Sequence, residues 1–93
     1  MNPYKQSMLM NIDKCLAHVR KKTFEKNIDL LQVFREFDDK GINIINTVKF
    51  TYILNEFLGV SEDQIAVIEQ VLDPNNKKLI NYQEFVRVIN DPN

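Results

Sequence analysis

The chain has 93 residues, enough for one small domain but not for two with separate hydrophobic cores. It is 44% apolar with only two glycines and three prolines, a composition that favours a compact, mostly helical fold over a disordered or all-β chain. Twelve basic and thirteen acidic residues leave a net charge near zero, so overall charge indicates neither nucleic acid nor an anionic membrane as a partner.

The charge is unevenly distributed along the chain. Residues 1–26 hold six basic and two acidic residues, whereas residues 27–93 hold six basic and eleven acidic residues. The two parts therefore carry opposite net charge, and they can either attract one another or meet different partners.

The single cysteine, Cys15, cannot form an internal disulfide, and the sequence shows neither a secretory apolar segment nor an apolar run of membrane-spanning length. These features predict a cytoplasmic protein without membrane insertion. A catalytic cysteine needs a base, and the only histidine, His18, lies three residues away on the same predicted helix. We interpret Cys15 as a small buried residue.

A first amphipathic helix is predicted over about residues 3–21. Asn2 suits the N-cap and Pro3 the first helical position. One apolar face recurs at helical spacing and consists of Tyr4, Met8, Ile12, Cys15, Leu16 and Val19, with Lys14, His18 and Lys21 opposite. This face must be covered, either in the chain's own core or on another protein or a second copy of this chain.

Two further helices follow. The second is predicted to start at an Asn27 cap and to stop before Asp38. A short β-branched stretch, 42–46, predicts extended residues, and a third helix is expected over about 48–58 with Gly59 ending it.

The fourth and fifth helices each begin with a capping signal. The stretch 61–64 (SEDQ) is a capping box, and the helix it starts is broken at 73–74 (DP). Asn81 and Glu84 form a similar cap for a fifth helix that runs to about Asn90.

The two halves of this pattern repeat at an offset of 35 residues. The matching pairs are Asp38 with Asp73, Ile45 with Ile80, Asn46 with Asn81 and Phe50 with Phe85. Each unit reads as helix, twelve-residue loop, helix. On these residues the chain resembles the EF-hand superfamily, as a calmodulin-like pair, over about residues 27–90.

The resemblance implies an all-α fold of paired EF-hands plus an additional N-terminal helix. We expect an N-terminal helix and connector over 1–26 and an EF-hand pair over 27–93, with the two hands at 27–58 and 61–90. Counting Asp38 and Asp73 as loop position 1, Ile45 and Ile80 fall at position 8, where paired EF-hand loops form a short two-stranded contact.

The first loop lacks the oxygens that calcium needs. EF-hand loops bind calcium through positions 1, 3, 5, 7, 9 and a bidentate acid at 12. Here Lys40 is at position 3, Ile42 at position 5 and Lys49 at position 12. A cation where the bidentate carboxylate belongs predicts that this loop binds no metal.

The second loop is closer to a calcium site. If a metal binds anywhere, the ligands are Asp73, Asn75, Asn81 and Glu84. However, Lys77 replaces an oxygen at position 5, and Lys78 replaces the glycine at position 6, where it needs a positive φ or a changed turn, at a cost of roughly 1 to 2 kcal/mol. We interpret this loop as the remains of a site in which the two lysines neutralise Asp73 and Glu84. No cofactor is expected, with weak calcium binding here as the alternative.

The resemblance also implies a groove between the helices that takes an amphipathic helix. The residues expected to line it are Phe34, Phe50, Ile53, Leu54, Phe57, Ile68, Leu72, Phe85, Val88 and Ile89. The guest is the chain's own first helix, through Tyr4, Met8, Ile12, Leu16 and Val19, or a partner's helix, or the first helix of a second copy.

We therefore predict a calcium-independent structural or adaptor module that binds a helical segment of a partner protein. The resemblance suggests a cytoskeletal assembly, such as that of a cilium. The alternatives are a calcium sensor or buffer using the second loop only, and a regulatory subunit of an enzyme. An enzyme is not expected, because the sequence has no His-acid-nucleophile set, phosphate-binding glycine loop or zinc-ligand cluster.

Overall fold

The computed structural model describes the backbone of residues 3–90 and the side chains of residues 12–90. This part is mostly helical, with five helices and one two-stranded antiparallel sheet, as the sequence predicts. In chain order the elements are α1 (Pro3–Glu25), α2 (Leu30–Phe37), β1 (Ile44–Asn46), α3 (Thr47–Leu58), α4 (Glu62–Leu72), β2 (Leu79–Asn81) and α5 (Tyr82–Asn90). Within the described residues, no helix combines the length and the apolar character needed to cross a membrane.

The junction between α1 and α2 differs from the prediction. Helix α1 continues to Glu25, and Asn27 lies beyond its end with a φ of 53°, so Asn27 does not cap α2. The N-cap is Asp29, whose carboxylate accepts the Gln32 amide at 3.2 Å. Asparagine suits both a helix N-cap and a left-handed residue after a helix, so the sequence alone did not separate these roles.

The helix ends at Ser61 and Gly59 follow the predicted signals, whereas the N-cap of α3 at Asn46 was not predicted. Asn46 accepts the Lys49 amide at 2.8 Å, and Ser61 accepts the Gln64 amide at 3.3 Å. Gly59 ends α3 in the left-handed conformation, with a φ of 71°. Each of these residues satisfies backbone groups that the helix itself leaves without a partner.

The cap of α5 forms only in part. Asn81 accepts the Glu84 amide at 3.1 Å, as predicted, but the Glu84 carboxylate pairs with Arg87. Asn81 also belongs to β2. The reciprocal capping box expected from Glu84 is therefore not what the structure contains.

The core lies where the two helix–loop–helix units meet. Ile45 is directly opposite Ile80 in the antiparallel register, and both side chains are buried. Below them, the ring of Phe50 lies 5.8 Å from that of Phe34 and 5.1 Å from that of Phe85, measured between centroids. These rings give the two units one shared core.

Helix α1 packs against α4, α5 and α3. Cys15 and Val19 are buried in the same core as the aromatic rings, and Ile12 and Leu16 pack at its edge. Of the alternatives for the apolar face of this helix, the structure has the intramolecular one. The side chains of Tyr4 and Met8, predicted for the same face, lie outside the described residues.

Candidate functional site: the paired loops

The two twelve-residue loops have left-handed residues at the same two positions. Position 4 has a positive φ in both, 64° at Gly41 and 54° at Asn76. Position 6 has a φ of 66° in both, at Asn43 and Lys78. Of the two alternatives expected for Lys78, a positive φ or a changed turn, the structure has the positive φ. The 35-residue repeat of the sequence is thus also a repeat of local geometry.

The carboxylate of Asp38 closes the first loop. It accepts the amides of Ile42 and Asn43 at 3.3 and 2.8 Å. It also accepts the hydroxyl of Tyr82, the first residue of α5, at 2.7 Å. Both side chains are buried, so this hydrogen bond ties the first loop to the second helix–loop–helix unit inside the protein.

This pair shifts both ionisations. The Tyr82 hydroxyl, followed by the loop amides, lowers the pKa of Asp38 despite its burial. Burial is the first cause that raises the pKa of Tyr82 to about 12, and the hydrogen bond and charge of Asp38 add to it. Each shift favours the state in which an ionised carboxylate accepts from a neutral phenol.

Sequence reasoning did not single out Tyr82. The signal that was present is its spacing, because Tyr82 lies three residues before Phe85 and seven before Ile89, on the buried face of α5. A buried tyrosine usually needs a partner for its hydroxyl. Which acceptor lies within reach depends on the pairing of the two loops, which the spacing does not specify.

Lys49 is at position 12 of the first loop, where the resemblance to EF-hands implies a bidentate acid. Its Nζ donates to the carbonyl oxygen of Phe37, the last residue of α2, at 2.9 Å. It also lies 3.4 Å from a carboxylate oxygen of Asp39. The Lys49 ammonium group therefore connects the first turn of α3 to the C-terminal end of α2, where a positive charge is favourable.

In the second loop, Asp73 accepts the amides of Lys77 and Lys78 at 2.9 and 2.8 Å. The prediction that the ammonium groups of these lysines neutralise Asp73 and Glu84 is wrong for the described residues, where no such ion pair occurs. Their backbone amides bind Asp73 instead, and Glu84 pairs with Arg87.

The four candidate ligands are placed around this loop but in other roles. Asp73 holds the turn, Asn81 caps α5, Glu84 pairs with a neighbour on its own helix, and Asn75 is exposed. Among the residues whose side chains the structure describes, no cluster of three or more acidic, histidine or cysteine side chains is suited to hold a metal ion.

The predicted groove is not open in this structure. Seven of its ten residues are buried, namely Phe34, Phe50, Ile53, Leu54, Ile68, Phe85 and Ile89. Leu72 is half-buried, and only Phe57 and Val88 are substantially exposed. Most of the set belongs to the core, and α1 packs against three of the four helices that carry it.

Polar contacts as well as apolar ones hold α1 in place. His18, predicted on its solvent face, donates through Nδ1 to Gln64 Oε1 of α4 at 2.8 Å. The guanidinium of Arg20 donates to the Ile89 carbonyl near the end of α5, also at 2.8 Å. The last carbonyl groups of a helix have no donor within the helix, and the Arg20 side chain supplies a donor to one of them at the end of α5.

Comparison of the chain with family models, with curated proteins and with solved structures finds no significant match.

Proposed function

We propose that this chain is a calcium-independent EF-hand-like interaction module, which acts as a structural or adaptor component by binding a helical segment of a partner protein. The observation that carries the proposal is the repeat of the loop geometry. Both loops have positive φ at positions 4 and 6, an aspartate at position 1 that accepts the amides of positions 5 and 6, and an isoleucine pair at position 8.

Calcium independence is inferred from the charges at the ligand positions. At position 12 of the first loop, the ammonium group of Lys49 donates to the Phe37 carbonyl. This positive charge would repel a dication in the loop. In the second loop Lys77 supplies no oxygen at position 5, and Glu84 is engaged by Arg87. The loops are therefore proposed to keep one conformation with or without calcium.

A binding role, rather than catalysis, fits the residues near the loops. Lys49, Lys77 and Arg87 supply charge, but no histidine or cysteine lies beside them, and His18 and Cys15 belong to the packed face of α1. A cytoplasmic, cytoskeletal or ciliary assembly is the setting we propose for such a module, on the resemblance to EF-hand proteins alone.

The test is a pair of amide proton–nitrogen correlation spectra of the whole chain, one with chelator and one with millimolar calcium. Sodium chloride at matched ionic strength is the control. We expect no shift beyond the salt effect. Saturable shifts in residues 73–84, lost in the variant Glu84→Gln, would instead make the protein a one-site calcium sensor or buffer and overturn calcium independence.

A further inference from the structure

Phe24, in the last turn of α1, is the most exposed large apolar side chain that the structure describes, at 88%. Single apolar residues on a protein surface are common and need no partner. Phe24 differs because it lies at the rim of a hollow that is lined mostly by apolar side chains. The ring does not fill this hollow itself, since almost all of it faces solvent.

The hollow lies where the end of α1, the start of α2 and the end of α5 meet, and its volume is about 450 Å³. Leu30, Val86 and Ile89 belong to the buried core and form its floor. Ile28 and Leu31, both half-buried, stand at its sides. A hollow of this size and lining can receive one aromatic side chain from another molecule.

A protruding ring directly beside a hollow that accepts a ring is a self-complementary arrangement. A two-fold axis that passes between the two features carries the ring of each copy over the hollow of the other copy. In such an isologous contact the same patch serves both molecules, so every contact occurs twice. The placement of Phe24 beside its own hollow therefore favours a second copy of this chain as the occupant.

The charges beside Phe24 have both signs, which also suits a contact between identical surfaces. Lys21 and Lys26 are exposed, and Asp29 lines the hollow. Within residues 12–90, none of these three side chains forms an ion pair. A partner of uniform charge would meet a like charge on one side of the hollow, whereas a second copy presents a lysine to each aspartate.

We propose that two copies of this chain associate through this surface, each inserting Phe24 into the hollow of the other. The lysines beside Phe24 face Asp29 across the two-fold axis. Because one aromatic side chain from each copy makes a small contact, we expect a weak dimer with a Kd on the order of 0.1 mM. This self-association goes beyond the helix binding proposed above and involves neither the loops nor the core that α1 covers.

The test uses the whole chain at physiological salt, from about 10 µM to about 1 mM, a range that brackets this Kd. Sedimentation equilibrium measures the mass, and amide spectra of the isotope-labelled chain over the same range locate the contact. We expect a reversible monomer–dimer equilibrium. The amide shifts should follow the same concentration dependence and be centred on Phe24, Ile28 and Leu31.

Matched variants identify the residues that make the contact. Phe24→Ser should weaken the dimer by about tenfold or more. Val48→Ser removes a side chain that is 76% exposed in the first turn of α3, outside this surface, and should leave the Kd unchanged. Asp29→Asn keeps an N-cap acceptor for α2 but removes the charge, and should weaken the dimer by about threefold or more. The amide spectrum of each variant reports whether it is folded.

Each other outcome overturns the proposal. A chain that stays monomeric over the whole range, or a dimer that Phe24→Ser leaves intact, would reject Phe24 as the contact. An unchanged Kd in Asp29→Asn would contradict the two-fold arrangement of charges. Shifts centred on Val19 and Ile68 would mean that two copies exchange α1 instead. Binding to phosphatidylserine vesicles that requires Phe24, without a dimer, would assign the surface to a membrane. Calcium independence is decided separately by the calcium spectra.

Discussion

Tyr82 and Asp38 form the one buried side-chain to side-chain hydrogen bond in the described part of the protein, at 2.7 Å. It connects residues 44 positions apart. Among the described residues, every buried side-chain polar atom has a hydrogen-bond partner. At the scale of single residues, the hydrogen bond between Tyr82 and Asp38 is the contact that fixes one loop against the helix that follows the other.

Replacing Tyr82 by phenylalanine removes the donor and leaves the ring in the core. We expect the free energy of unfolding to fall by about 1 to 3 kcal/mol, because the hydrogen bond is made to an ionised carboxylate. Urea denaturation measures the change. Tyr52→Phe is the matched control, since this ring is half exposed, and it should stay within about 0.5 kcal/mol of the parent.

The raised pKa of Tyr82, about 12, has its own signature. The folded state favours the neutral phenol, so the stabilisation is complete below the ordinary tyrosine pKa near 10 and is lost as pH rises toward 12. Ultraviolet absorption of tyrosinate should therefore show an ionisation step well above pH 10. The step should be absent in Tyr82→Phe, and a parent titration that ends near pH 10 would contradict the prediction.

At the scale of elements, each loop has a non-glycine residue with a positive φ at position 6, which costs conformational free energy. Lys78 has a φ of 66°, a conformation that glycine adopts without penalty. Lys78→Gly should raise the free energy of unfolding by about 0.5 to 1 kcal/mol. Lys77→Gly, one residue earlier and without a positive φ, is the control and should lower it. Equal effects of the two variants in urea denaturation would count against this account.

Several elements could be read from the sequence because their signals are local. Ser61 and Gly59 mark helix ends through contacts within a few residues, and the match of Ile45 with Ile80 follows from the repeat. Asn27 and His18 were misassigned for a different reason. Asn27 fits two local roles, and the partner of His18 lies 46 residues away on α4, beyond any local pattern.

At the scale of the whole molecule, the sequence required a cover for the face of α1 but did not specify which cover. The choice depends on long-range contacts between α1 and α4, α5 and α3. Most of the residues expected to line an open groove are buried in that core, so the groove that the resemblance implied is not open.

Cys15 reports how firmly α1 is held. Its thiol is buried and burial raises its pKa, and both effects oppose formation of the reactive thiolate. We expect labelling by a thiol reagent at neutral pH to be at least about a hundredfold slower in the native chain than in urea, since it needs local opening. Arg20→Met, which removes the bond to the Ile89 carbonyl, should speed the native reaction. Equal rates in native and unfolded chains would mean that α1 is undocked in solution.

The order of synthesis gives the docking of α1 a further consequence. The ribosome releases residues 3–25 before residues 62–90, yet it is α4 and α5 that cover the face of α1 on which Cys15 and Val19 lie. During translation that face stays without this cover until α4 and α5 emerge. The nascent chain therefore passes through an interval in which the apolar face of α1 is open to chaperones, and a fragment that ends before residue 62 would lack the two helices that cover that face.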